Sequence, residues 1–486
     1  MRWGSVLLTR GASGSGALPS ASGQVAGALA RPLGAAARRR VGDDVRGWLA
    51  WNHGLTGWRP QTSAVDAVPF VALYARGMLR GCMGSSDGEP GQRLARAFLS
   101  ASTDVRFGGV RAADRATLTA DVSFMRSPRL VDESTLLSDL ELGTHGIGLL
   151  RDDGGPVFLL PSVARDSRLD ARGMLGALHR KAGPAPGSLF LFDADTVVVR
   201  RDRPTRTSRA LSPRAAAVAW LTSLVRPDGS ILFAIDARTG ASSDVGAMHH
   251  ARGASVVHAL ATAGGRPKLL ARARERLVVD IRSALEGHAV PGWPKSPAEV
   301  AGTLAHAVRA GIPLREETLA YVALHQEAIA RVPWHAAQTV AALGLEAPPV
   351  LWTACEQSLA KTPWAPWTVL AMKARGVPVP AAREAVGGLV NAVRSSPPYV
   401  GGVMGAAIPE VAITALTVEA LLAYPSVKGA REAAARARAF LMRHQLLRDT
   451  TPACFDPSTT EGAFVAAPAA TLLRGDVTAH ALLAME

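Results

Sequence analysis

Cys82, within Leu79-Arg80-Gly81-Cys82-Met83-Gly84, is the side chain of this sequence with the sharpest chemical use. A thiol attacks as its thiolate, and a neighbouring cation lowers its pKa. Arg80 stands two residues away, and in an extended segment the two side chains share a face. Gly81 and Gly84 carry no side chain, so a ligand or another backbone has room to approach. His145, beside Gly146, would serve as base or hydrogen-bond donor if the fold brings it near. The competing reading makes Cys82 a small buried hydrophobe and gives the glycines to a bulge.

A second group of candidates lies toward the C-terminus. His249-His250-Ala251-Arg252 opens a helix-like segment that ends at Leu260. Adjacent histidines cannot share one helix face, which speaks against a two-His metal site. Arg252 is a candidate for holding an anionic or carbonyl group, with a solvated or structural arginine as the alternative. Asp476 is a candidate N-cap, and His480, four residues on, would lie on its face. A capped and packed terminal helix is the plain alternative for that pair. Pro333-Trp334, Pro363-Trp364 and Pro366-Trp367 read as helix starts with an aromatic in the first turn. Arg151-Asp152-Asp153-Gly154-Gly155 reads as a hairpin turn and not as a metal-binding acidic pair.

No metal or cofactor is expected. The three cysteines, Cys82, Cys355 and Cys454, form no Cys-x-x-Cys, so neither a disulfide framework nor a Cys-rich zinc site is indicated. His-Glu-x-x-His and P-loop patterns are missing. The C-terminal half has no Asp-x-Asp-Asp, which argues against proton-initiated terpene cyclisation.

The elements that must position these residues divide the chain. Its 486 residues are 48% hydrophobic and 19% charged, which suits two or three globular domains. The net charge of +14 comes from arginine, interspersed with acids and not striped with aromatics, so nucleic acid is not an expected partner. No uncharged apolar run reaches the ~18 residues of a membrane helix, so no membrane span is expected. The cysteine usage fits a reducing, cytoplasmic setting.

Residues 1–40 are Gly/Ala/Ser/Arg-rich and are expected to form a disordered basic tail. From 41 to 200, strand and helix signals mix. Phe70–Tyr74 and Met78-Leu79 flank Ala75-Arg76-Gly77 as a β-hairpin. Asp121–Phe124 and Leu189–Val199 read as strands, Gly91–Ser102 and Ala171–Lys181 as helices. This is an α+β domain. Arg201–Ser212 reads as a linker. Residues 213–486 follow helical periodicity, as in Val386, Leu389, Val390 and Val393. Trp220-Leu221 and Phe440-Leu441 are each followed sixteen residues later by an aspartate, Asp236 and Asp456, a hint of internal repeat. Short helical hairpins with one apolar face must stack or close into a ring.

Residues 41–200 resemble the AMMECR family. Phe70-Val71-Ala72-Leu73 and Gly77-Met78-Leu79-Arg80-Gly81-Cys82-Met83-Gly84 are similar to its paired strands and Leu-Arg-Gly-Cys signature. Asp104-Val105-Arg106-Phe107 resembles its Asp-Pro-Arg-Phe, Asp121-Val122-Ser123-Phe124 its Glu-Val-Ser strand, and Gly143-Thr144-His145-Gly146-Ile147 its Gly-x-His-Gly. Leu160-Pro161, Asp170 and Lys181-Ala182-Gly183 resemble its C-terminal stretch. Met83, Ser162 and Leu169 depart from the usual Ile, Gln and Trp. The resemblance implies an enzyme or enzyme component of a modification or redox system, with a small molecule or a Memo-like or radical-SAM protein as partner. A non-catalytic binding or scaffold role is the alternative. The helical half resembles in texture the α/α toroid of terpenoid cyclases, prenyltransferases and six-hairpin glycosidases. That implies a central cavity, and a carbohydrate- or isoprenoid-type ligand as a further alternative.

Overall fold

Arg76 and Gly77 both have positive φ, +49° and +74°, the backbone that a tight two-residue hairpin turn requires. They join β1 (Pro69–Ala75) to β2 (Met78–Gly84). The computed structural model describes residues 28–29, 31–51, 65–86, 88–152, 155–184, 186–200, 211–246, 248–358, 365–406, 408–447 and 451–485. The chain divides into two units. The first is residues 1–210 with 448–457, and the second is 211–447 with 458–486.

The remaining elements of the first unit are α1 (Ala35–Trp51), α2 (Pro90–Ser102), β3 (Leu118–Leu130), α3 (Glu133–Asp139), β4 (His145–Arg151), β5 (Pro156–Leu159), α4 (Ser162–Ser167), α5 (Ala171–Ala182) and β6 (Gly187–Arg200). One antiparallel sheet runs β2-β1-β3-β6-β4-β5. Strand alternation gives it two unlike faces. On one face Val71, Leu73, Val122 and Val197 meet Val45 and Leu49 of α1 and Phe98 of α2. The other carries Phe70, Met125, Phe158, Phe190 and Phe192. The sheet is curled, and residues of both edge strands, β2 and β5, line one pocket.

Glycine makes this aromatic face possible. Phe70 lies opposite Gly84, Phe192 opposite Gly146 and Phe190 opposite Gly148. A Cβ on any of these glycines would collide with its partner's ring. The rings flatten across the sheet, shielding backbone that glycine leaves bare. Phe158 stands edge-on to Phe70 and Phe192, with centroids 4.8 and 5.9 Å away.

Helix α1 opens at Ala35, inside the stretch expected to be a disordered tail. Arg38 pairs with the buried Asp195 and donates to the Thr196 carbonyl at 3.0 Å, while Val41, Val45 and Leu49 bury. Residues 1–27 and 30 of that tail, 201–210 of the expected linker, Asp153-Gly154 and Pro363-Trp364 lie outside the described residues.

The second unit is helix-rich. Its helices are α6 (Pro213–Leu224), α7 (His249–Thr262), α8 (Pro267–Leu285), α9 (Pro297–Arg309), α10 (Arg315–Ala330), α11 (Pro333–Leu343), α12 (Pro349–Ser358), α13 (Ala365–Ala374), α14 (Val379–Ala392), α15 (Val411–Ala423), α16 (Ala430–Arg443) and α17 (Gly475–Ala484), besides the four-residue helix Pro457–Thr460. A small sheet joins Ala234–Asp236 to Ser242–Ser243 and Leu472–Arg474. Two kinds of helix alternate. In α9 and α15 most positions are buried, and their Ala, Gly and Thr residues let neighbours come close. In α8 only Leu270, Ala273, Leu277 and Ile281 are buried, a single stripe. The buried kind adjoin one another in the order α7-α9-α11-α13-α15-α17, and α17 adjoins α7. Each also packs on a more exposed helix: α7 on α8, α9 on α10, α11 on α12, α13 on α14, α15 on α16, and α17 on α6. No described helix is long and apolar enough to cross a membrane.

Candidate functional site

Cys82 lies on the aromatic face of the sheet, opposite Ala72 of β1. It lines a half-open pocket with about 570 Å³ of empty space, solvent at the mouth included. Phe70, Phe158, Leu160 and Val163 make most of the wall apolar, and Arg106 and Lys181 are its cations. The turn Asp104–Phe107 clamps β2 at this point. The Cys82 N–H donates to Asp104 Oδ2 at 3.0 Å, and Arg106 Nη2 donates to the Cys82 carbonyl at 2.8 Å. Arg106 also grips both Asp104 oxygens, through Nε at 2.8 Å and Nη2 at 2.7 Å. Burial opposes the charge of Asp104, but the hydrogen bonds from Arg106 and Cys82 outweigh it and hold the carboxyl below its ordinary range.

Lys181 enters from the last turn of α5. Its Nζ donates to the Phe158 carbonyl at 2.8 Å and lies 5.6 Å from that ring's centroid. Burial in the apolar wall brings the ammonium down to about 8, despite the opposing pull of Cys82. Burial pushes the Cys82 thiol up to about 11, although Lys181 and Arg106 work against it. At neutral pH the pocket therefore presents a thiol and a loosely held ammonium, and not a thiolate.

The other N-terminal candidates lie elsewhere. Arg80 is the extra residue of a β-bulge: Leu73 pairs with Gly81, but Tyr74 pairs with Leu79. The bulge breaks the alternation that would place Arg80 on the face of Cys82. Arg80 instead meets Asp114 with Nε and Nη2, at 3.0 and 3.2 Å, and is not among the pocket-lining residues. Gly81 admits the end of α2, where a Cβ would run into the Ala101 carbonyl. Gly84 lines the pocket and admits the Phe70 ring. His145 pairs with Asp193 in register, on the opposite face of the sheet. Its Nε2 is 3.5 Å from Asp193 Oδ1, and its Nδ1 accepts the Glu141 N–H at 3.0 Å. It does not meet Cys82.

Next to the pocket lies a buried polar network. Tyr74 Oη donates to Asp166 Oδ2 at 2.7 Å, and Arg165 Nε lies 3.2 Å from Asp166. Arg165 Nη2 is 3.8 Å from Asp121. Asp121 accepts the Ala453 N–H at 3.2 Å, from the segment of residues 448–457 that belongs to this unit. Burial pushes its carboxyl up to about 6, against the pull of Arg165.

In the second unit, Asp476 lies one residue inside the first turn of α17, whose cap is Arg474. Arg474 holds it at 3.0 Å, and Arg252 Nε is 3.7 Å away with its guanidinium 4.8 Å from the Phe233 ring centroid. Arg252 and Asp476 therefore meet, and His480 lies elsewhere. It belongs to a buried set that sequence reading missed. His480 Nδ1 is 3.5 Å from Glu419 Oε1 of α15, and Arg309 of α9 reaches Glu419 at 3.4 Å while facing the Trp367 ring of α13. His306 takes Ser255 at 3.0 Å, and His335 takes Gln338 at 3.0 Å. Burial pushes His258 and His335 down to about 4, and it also pushes His306 well below its ordinary value. Burial opposes the charge of Glu419, but the neighbouring His480 and the charge of Arg309 outweigh it and lower the carboxyl. His249 and His250 line a separate pocket of about 670 Å³, with Arg276 and Asp280. No group of three potential ligands able to hold a metal occurs among the described residues.

Lys181, Arg106 and Glu419 each left a trace in the sequence. Lys181 is the sole lysine of residues 1–210, Arg106 lies in the Asp-x-Arg-Phe segment, and Glu419 is the lone acid of an otherwise apolar stretch.

Residues 52–198 match the AMMECR1 family. A curated protein of Methanosarcina acetivorans is 31% identical over 122 residues, which cover 24% of this chain and 61% of that relative's length. A crystal structure of an uncharacterised Pyrococcus horikoshii protein is 20% identical, matching 33% of this chain and 89% of that one, with a TM-score of 0.27.

Proposed function

We propose, taking residues 52–198 as an AMMECR1 domain, that its pocket at Cys82 binds a small, mainly apolar organic molecule. One observation carries this reading. Segments far apart in sequence, Cys82–Gly84, Arg106-Phe107, Leu160 and Lys181, come together on one pocket wall, and each lies in a stretch that resembles the family. A scaffold role alone would not require a half-open apolar pocket with a cation in its wall. The high thiol pKa favours binding, or chemistry at another group, over nucleophilic attack by Cys82. The test is ligand binding followed by thermal shift with short-chain alcohols and aldehydes. Val163→Phe, which fills the pocket, is expected to weaken any such binding about tenfold while the fold persists. Equal affinity in the variant would sink the reading.

A second reading concerns the helical unit. The circuit of buried helices, each backed by a more exposed one, supports an α/α toroid. Polar residues from α7, α9, α11, α15 and α17 gather in its interior, among them Ser255, His306, Gln338, Glu419 and His480. Such a set suits a hydroxyl-rich ligand better than an isoprenoid. Isothermal titration with neutral oligosaccharides tests it, and heat that persists unchanged in Glu419→Gln would count against it.

A further inference from the structure

The chain holds 54 lysines and arginines together, and only six are lysine: Lys181, Lys268, Lys295, Lys361, Lys373 and Lys428. Every other basic position of residues 1–210 is arginine or histidine. An arginine keeps its proton and carries no nucleophilic amine, whereas a lysine freed of its proton does. The one lysine of this stretch lines the apolar pocket. No carboxylate pairs with its Nζ among the described residues, and its hydrogen bond goes to a backbone carbonyl. Arg106, the neighbouring cation, is taken up by Asp104.

We propose that Lys181 is a carbonyl-reactive amine, and that the pocket takes an aldehyde or ketone with an apolar chain. This rests on the binding reading above and names the class of its ligand. The Lys181 nitrogen bonds to the carbonyl carbon, and the carbon–oxygen bond breaks. Of the three ammonium protons, two leave with that oxygen as water and one stays on the iminium nitrogen, so no oxidant or reductant is consumed. A neutral amine keeps an N–H for the Phe158 carbonyl while turning its lone pair to the pocket. Burial, which lowers this ammonium to about 8, makes the neutral form accessible near pH 7. The thiol of Cys82 remains protonated and does not compete.

The experiment uses the full-length protein with hexanal and borohydride, which fixes an imine as a stable secondary amine, followed by peptide mass mapping. The other five lysines serve as internal controls. Lys181 is expected to be alkylated at least about tenfold faster than any of them, and hexanol is expected to suppress it. Alkylation of Lys181 at the common rate overturns the proposal. Selective alkylation that hexanol does not suppress overturns the apolar-chain part. Thermal shift with hexanol, compared between the native protein and Val163→Phe, separates the two levels. Hexanol binding without selective alkylation sinks the amine chemistry and leaves the binding reading standing. Absence of both sinks both.

Discussion

The two units bury titratable groups on opposite terms. In the first, Cys82 and Lys181 stand in the wall of a pocket that opens to solvent, and the other cation of that wall, Arg106, pairs with Asp104. In the second, Glu419, Arg309, His480 and His306 answer one another across several helices. The first arrangement leaves an amine poorly solvated and without a counter-charge, which costs stability and is the basis of the reactivity proposed for it. The second satisfies its charges internally, which is how a buried polar set contributes to a unique packing. Burial alone therefore does not tell these two arrangements apart. The partner of each buried group does.

Acid should separate the units most. His258 and His335 sit near 4 in the fold against an ordinary 6.5, so the unfolded chain binds more protons between those values. Their stabilisation is complete above pH 6.5 and is lost as pH falls to 4, on the order of 5 kcal/mol for the pair. Asp121, raised to about 6, works the other way: the folded first unit binds the extra proton between about 4 and 6 and gains as pH falls. Hydrogen exchange at pH 4.5 is expected to show the helices of the second unit opening while the sheet stays protected. Simultaneous loss in both units would break the comparison.

Glu419→Gln comes next. It leaves Arg309 buried without its counter-charge and is expected to cost about 3 kcal/mol, read as an earlier urea midpoint of the second unit alone. Lys181→Met should do the reverse in the first unit. At pH 7 it removes an ammonium that the fold disfavours, a gain of about 2 kcal/mol in thermal stability. Because the native pKa is the lower one, wild-type stability rises with pH from about 8 to 10.5, and the advantage of the variant should vanish there. The smallest effect expected is none. Arg80→Ala should leave the pH profile of Cys82 alkylation unchanged, with a midpoint near 11. A shift in that profile would reinstate Arg80 as the cation that governs the thiol.

Much of the first unit was legible because local signals agreed. The β1–β2 hairpin had its apolar strands and turn residues, and the helices at Pro90–Ser102 and Ala171–Ala182 followed their periodicity. Gly81 already pointed to a bulge, but a bulge shifts parity by one, and no residue type announces which neighbour is the extra one. That single slip removes Arg80 from the site. His145 illustrates a different limit, since strand pairing decides the face and is not written in any one strand. In the helical half, one-stripe and all-round-buried helices differ visibly in sequence. The partners of His480 do not, because Glu419 and Arg309 come from helices far away in the chain.

The segment near Ala453 has a consequence for the order of events at synthesis. Arg200 ends the last strand of the sheet, yet its guanidinium donates to the carbonyls of Thr451 and Pro452, 251 and 252 residues later. Asp121 and Thr119 likewise find Ala453. At roughly 5 to 20 residues per second, the ribosome needs on the order of 10 to 50 s to deliver those partners. Through that interval the nascent first unit carries a carboxylate and an arginine without their backbone partners, and its completion waits on residues 451–453.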